Sequence, residues 1–412
     1  MPAPAGAHAT ANGTANAPSR LRRLLLGAAG GMLAANTSGL AALAQEPAPA
    51  SSSAGTGTPE VDSAIGARAR YGAGMVGIAL FVPPAASIYG RAASALIDGV
   101  RAARLRDGAG ISVEVVEVDD DPIALHAHYD ELRQRGFSMV IGPLTRDVVS
   151  AIATAGAPPL FTLALNQPEP GVSWPDNMLA FGLSIEAEAT QAAAIACRQT
   201  HSAHERPLAA VVRNRTPLDE RSAEAFAERW RSCGGDVYEA IEVEIPSAGR
   251  LRTQLEDLGA DLFFVAGDAT LARAVRIAMG PALPVYGTSR LNVGAIPVEP
   301  VDDAAAITDP AASHHSALDG VRLIDLPWRV QPDDSAVMAY TRAPDLNLEL
   351  QKLYALGIDA FRVARLLIDR APAIELDGVT GHLRLSPDGR NIEREGILAE
   401  YQEGVPVPVA LR

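Results

Sequence analysis

Three groups of side chains in this 412-residue chain have the types and spacing for chemistry. Asp119, Asp120 and Asp121 stand together ahead of Pro122, His314 and His315 are adjacent, and Cys197 and Cys233 are the two cysteines. Three consecutive aspartates could suggest a cation site, but they read better as a solvated turn whose last member caps a helix with proline at its first position. Neighbouring histidines do not easily face one ion, and no third ligand is spaced to complete a site, so they read as surface loop. The cysteines allow one bridge and carry no metal signature. There is no nucleophile elbow, phosphate-cradling glycine loop or Cys/His metal spacing. The carboxylate pairs Glu186/Glu188 and Asp302/Asp303 read as solvent-facing. What remains is non-covalent chemistry, with no cofactor and no catalysis expected.

The polar residues best placed to bind something lie between Gly136 and Gln167. Phe137 to Ile141 is a short apolar run with no polar face, as in a parallel strand covered on both sides. Gly142-Pro143 breaks it, and Thr145 is placed to cap a helix over Arg146–Ala155 whose free N–H groups face a cleft. A second apolar run, Leu160 to Leu165, brings Thr162 and Asn166 to the same edge. Strand, polar turn, helix and strand is how open α/β sheets form crevices at the carboxyl ends of their strands. Ordinary scaffolding fits the same pattern.

These residues need a frame, and the rest of the chain supplies it. Arg20, Arg22 and Arg23 precede a weakly apolar run from Leu24 to Ala44 that ends Ala42-Leu43-Ala44, so residues 1–44 read as an export signal cleaved near Ala44. Twin-arginine and ordinary secretory export both fit. The run is too weakly apolar for a membrane span, and residues 45–74 read as a disordered linker. A soluble periplasmic protein is therefore expected. A net charge of −14 makes nucleic acid a poor partner, because phosphate binding needs clustered positive charge. Beyond residue 75, strands at Val76–Val82 and Ser112–Val118 alternate with helices at Arg91–Arg106 and Ile123–Gln134. A second series of similar period holds strands at Pro207–Val212, Val237–Ile245, Leu262–Ala266 and Pro284–Tyr286, with a helix at Glu220–Ser232. Further on come a strand over Gly320–Trp328, a helix over Leu348–Arg370 and a terminal hairpin. That hairpin pairs Thr380–Leu385 with Ile397–Tyr401 around the Asp388-Gly389 turn. The alternation predicts an α/β protein of two Rossmann-like lobes. Cys197 and Cys233 fall on helices flanking the strand at 207–212, where an exported protein could bridge them.

Several stretches together resemble the type I periplasmic binding protein fold and, within it, the LppC/LpoA family of penicillin-binding-protein activators. They are Val76–Pro83, Tyr89-Gly90 with Asp98-Gly99, Val140–Leu144, Pro284–Arg290, Leu318–Trp328, Leu353–Arg362, Gly378–Arg390 and Gly404–Pro408. The resemblance covers about residues 75–410. It implies three inter-lobe crossings, near 183, 326 and 379. Lobe one would then be 75–182 with 327–378, and lobe two 183–326 with 379–412. It also implies a regulator that docks a class A penicillin-binding protein making peptidoglycan. Two departures are noted: the helical-repeat domain of long members and the lipidated cysteine are not found before residue 75. The fold equally serves importers that close on an amino acid or similar solute. In such relatives the ligand contacts fall at the positions of Ser87, Tyr89, Thr145, Thr162, Asn166, Asp268 and Arg290. Each of these residues also reads as a plain cap or turn. The turn Asn214–Asp219 departs from the Asp…Tyr-Gly pattern of amino-acid binders.

Overall fold

The computed structural model describes residues 75–200, 206–242, 248–295 and 317–410. The expected export signal and linker, His314, His315, Asp302 and Asp303 lie outside the described residues. The first lobe begins β1 (Val76–Val82), α1 (Gly90–Asp107), β2 (Ile111–Glu117), α2 (Pro122–Gln134), β3 (Phe137–Ile141), α3 (Arg146–Ala155), β4 (Phe161–Ala164) and β5 (Met178–Ala180). Its five strands run parallel in the order β2-β1-β3-β4-β5. Burial on both faces explains why these strands are near-continuous apolar runs: Ile78, Leu80, Met139 and Ile141 face one core, and Ala79, Phe81, Phe137 and Val140 the other. Asp121 caps α2 by accepting from Ile123 N at 2.9 Å, with Pro122 at the first position, so the aspartate run is a helix start.

The second lobe contains α4 (Ile185–Gln199), β6 (Leu208–Arg213), α5 (Pro217–Ser232), β7 (Asp236–Glu242), α6 (Ala248–Glu256), β8 (Leu262–Ala266), α7 (Ala269–Met279), β9 (Val285–Gly287), a 3₁₀ turn (Ser289–Leu291) and β10 (Val321–Asp325). α5 starts three residues earlier than the sequence suggested, because Thr216 caps it through Asp219 N and Pro217 fits the first turn. Cys197 and Cys233 form a disulfide between the end of α4 and the end of α5, with Cα atoms 6.4 Å apart.

The chain then returns through α8 (Pro327–Val330), α9 (Ser335–Met338) and α10 (Leu348–Ile368). The strand expected over Gly320–Trp328 stops at Asp325, because Pro327 opens a helical turn that buries Trp328 in the first core. α10 lies against α1, and Gly99 and Gly357 permit the close approach: a Cβ at either would run into the backbone of the facing helix, at Tyr354 or Leu96.

The C-terminal pairing differs from expectation. β12 (His382–Leu385) pairs with β11 (Glu375–Asp377) and β13 (Ile392–Glu395) in a separate three-stranded sheet. The Asp388-Gly389 turn thus joins β12 to β13. β14 (Ile397–Gln402) instead pairs antiparallel with β10 and with β15 (Val405–Pro408), completing a seven-stranded sheet ordered β15-β14-β10-β9-β8-β6-β7. Leu383 and Ile392 are buried in the first core, whereas Leu398 belongs to the second lobe. The chain thus passes from the first core to the second at Gly396. The other two crossings fall between Phe181 and Ala189, and between Ile324 and Leu326. Among the described residues no helix is long and apolar enough to cross a membrane, and no cluster of His, Cys, Asp or Glu could hold a metal ion.

Candidate functional site

Parallel strands point their carboxyl ends, and the loops that follow, at the space between the lobes. Gly142 lies there with φ of 101°, in a cis Gly142–Pro143 peptide. A side chain at 142 would strike the Phe81 carbonyl, so glycine holds the β3 turn against β1. Thr145 precedes α3 as expected, but its hydroxyl makes no capping bond.

Two adjoining cavities open here, sharing Leu183, Ile185 and Leu218. The larger, about 800 Å³, is lined from lobe one by Arg146, Asn166, Gln167 and the β12–β13 hairpin, and from lobe two by one face of α4 with Leu218 and Arg221 of α5. The smaller, about 230 Å³, holds Glu188, Ser289, Arg290, Glu349 and Lys352.

Most polar groups in this region are engaged within the protein. Arg290 forms an ion pair with Asp219, a carboxylate only 1% exposed. Asp268 caps α7, accepting from Thr270 N at 2.9 Å and Leu271 N at 3.0 Å. Asn166 donates to the Leu144 carbonyl at 3.1 Å and accepts from Gln167 N at 2.9 Å. Ser87 accepts from Tyr89 N at 3.2 Å, and Tyr89 stands half-exposed at the start of α1. Thr162 is a correction: it points into the lobe-one core with no exposed surface, bonded to the Tyr129 hydroxyl at 2.8 Å and the Leu160 carbonyl at 3.0 Å. Alternation along β4 sends its side chain away from the edge, and burial pushes the Tyr129 phenol upward against the pull of that bond. Of the seven expected residues, Asn166 lines the larger cavity and Arg290 the smaller, while Ser87, Tyr89, Thr145, Thr162 and Asp268 line neither.

The crossings carry a buried polar network that sequence reasoning missed. Glu188, expected at the surface, is buried; it accepts from Arg394 Nη2 at 2.8 Å and Ser289 N at 2.9 Å. Gln191 binds both backbone groups of Gly396, at 2.7 and 2.9 Å. Asp325 accepts from Leu326 N at 2.7 Å and Asn292 Nδ2 at 2.5 Å, with the wholly buried Arg329 at 3.5 Å. Burial pushes the Asp325 carboxyl up to about 6, against Arg329 and Asn292, which pull it down. Asp359 of α10 holds the loop before β12 through Thr380 N and Oγ1, each at 2.7 Å. Glu186 shows the opposite balance: burial would raise it, but its own backbone N–H, Arg221 and Ser184 together hold the carboxyl below its ordinary range.

The model of LppC, a lipoprotein family by provisional description, matches residues 73–258 and 260–404. This chain belongs to the LppC family. An Edwardsiella ictaluri member named penicillin-binding protein activator LpoA is 29% identical over 331 residues, covering 72% of this chain and 47% of that relative. The chain thus spans about half the length of that LppC relative. Among solved structures, a Chromobacterium violaceum protein provisionally described as a branched-chain amino acid ABC transporter superposes with a TM-score of 0.64. It is 30% identical, and the match covers 79% of this chain and all of the other. The C-domain of LpoA (YraM) from Haemophilus influenzae, described as a regulator of PBP1A, superposes with a TM-score of 0.63 at 21% identity, over 81% of this chain and all of that domain. The LppC member described here thus has the type I periplasmic binding protein fold.

Proposed function

We propose that this LppC member is a periplasmic, non-enzymatic regulator that docks a class A penicillin-binding protein and stimulates peptidoglycan synthesis. The observation that carries the reading is the family match across both lobes, from residue 73 to 404, among relatives named as penicillin-binding protein activators. The geometry agrees with a docking role. Arg290 is held by Asp219, Asp268 caps its own helix and Asn166 donates to the Leu144 carbonyl, so gripping a solute would first require breaking these bonds. The reading places the protein in the periplasm after export.

The test is reconstitution of the exported protein with a class A synthase and lipid-linked substrate. Faster glycan polymerisation or cross-linking is expected; unchanged rates at saturating protein would reject the reading. A second reading, a solute-binding protein of an importer, is favoured by the full-length match to the Chromobacterium violaceum protein. It predicts a raised melting temperature with one amino-acid class, since a ligand at 100 times its dissociation constant adds about 2.7 kcal/mol.

A further inference from the structure

The larger cavity has a shape and charge that the docking role does not use. Its lobe-two wall is one face of α4, from Ile185 through Ala187, Thr190 and Ala194 to Arg198. At 1.5 Å per residue this wall is ~20 Å long. The opposite wall is the hairpin strand from Asn391 to Glu395. A helix face opposed to a strand makes a groove for an extended chain, and its ~20 Å length matches about six extended residues. Of the positions where solute binders of this fold make contact, the groove takes in Asn166 and none of Ser87, Tyr89, Thr145, Thr162, Asp268 or Arg290.

The charges are uneven. Arg146, Arg198, Arg221, Arg384 and Arg394 line the groove with Glu186, Glu393 and Glu395. Arg221 is held by Glu186, Arg384 by Glu393 and Arg394 by Glu188. Among the described residues Arg146 and Arg198 have no ion-pair or hydrogen-bond partner for their side chains. Arg198 at the C-terminal end of α4 favours that helix and needs no other explanation. Arg146 is different. It is half-buried in the first turn of α3, where a cation opposes the helix dipole. Asp147 in the same turn answers the dipole, but no carboxylate among the described residues pairs with the Arg146 guanidinium, and one in the groove would.

We infer that the groove binds a short, extended peptide carrying at least two carboxylates, which Arg146 and Arg198 meet from opposite lobes. Leu183, Leu218 and Ile392 supply apolar surface between them. Given the reading above, on which the choice of source rests, that peptide is the acidic stem of the cell wall.

The experiment uses the exported full chain and fluorescence polarisation with a labelled wall tripeptide, Ala–γ-Glu–diaminopimelate. Controls are the same tripeptide with its carboxylates amidated, and tetraglutamate. Binding of the acidic form alone, weakened about tenfold by each of R146Q and R198Q as loss of a charged hydrogen bond demands, is the expected result. No binding of any probe, or equal binding of the amidated form, overturns the inference. Equal binding of tetraglutamate overturns the wall as source. Wild-type protein that binds the tripeptide but leaves a synthase unstimulated rejects the docking reading and keeps the groove. Stimulation without peptide binding rejects the groove alone.

Discussion

The crossings and the groove are neighbours built from the same residue types, yet they treat charge in opposite ways. At the crossings Glu188, Arg394, Asp325 and Arg329 are buried and hydrogen-bonded to one another or to backbone. In the groove Arg146 and Arg198 face solvent-filled space with no partner of their own among the described residues. A buried charge persists only where partners replace its hydration, so the crossing network is a structural joint. A half-exposed cation keeps its water and stays available to an outside anion. The same guanidinium is thus a strut in one place and a receptor in the other, and burial makes the difference.

The contrast can be broken most forcefully at the joint. Glu188→Ala leaves Arg394 buried without its carboxylate, which costs about 3–5 kcal/mol; denaturant unfolding measures it. Replacing both partners by apolar side chains should recover most of that loss, and failure to recover would mean the pair is more than a joint.

The next effect is a pH dependence. Asp325 is raised in the folded state from 3.8 to about 6, so between those values the native protein holds the extra proton. Its contribution is full below the unfolded pKa and is lost as pH rises to about 6, the reverse of the usual carboxylate. At about 1.4 kcal/mol per pKa unit the loss is capped near 3 kcal/mol. Unfolding of wild type and D325N from pH 4 to 8 should differ by this slope; parallel profiles would remove Asp325 from the account.

Thr162→Val tests the correction made in the core. It strands the Tyr129 hydroxyl and should cost about 1–3 kcal/mol with no change in any binding measurement. A binding defect at unchanged stability would return Thr162 to the cleft. The smallest effect sharpens the groove side: R146Q removes a cation from the start of α3 and should raise stability by about 0.3–1 kcal/mol. A loss instead would reveal a structural partner.

What the sequence made legible was local. Phe137–Ile141 and Arg146–Ala155 fall where apolar runs and the Gly142-Pro143 break put them, because strand and helix periods are written in adjacent residues. The family motifs carried the two-lobed fold for the same reason. The joint was not legible. Glu188 and Arg394 are 206 residues apart, and two glutamates spaced like Glu186 and Glu188 at a helix start look solvent-facing until a partner arrives from another sheet. The terminal strands were misjoined because a single glycine, Gly396, separates β13 and β14, which belong to different sheets. No turn signal marks such a passage. Thr162 was misplaced by one step of alternation, which decides inside from outside in a strand.

Lys352 is the single lysine of the chain. It reaches from α10 to the Ser289 hydroxyl at 3.5 Å across the lobe boundary, is paired with Glu349 at 2.8 Å, and its side chain is only 12% exposed. Apart from a terminal amine, acylating reagents therefore have one target, and it sits at the seam. Its rate of modification, read by mass spectrometry, is a built-in gauge of how often the lobes part: slow if the joint holds them together, and faster once Glu188 or Arg394 is removed.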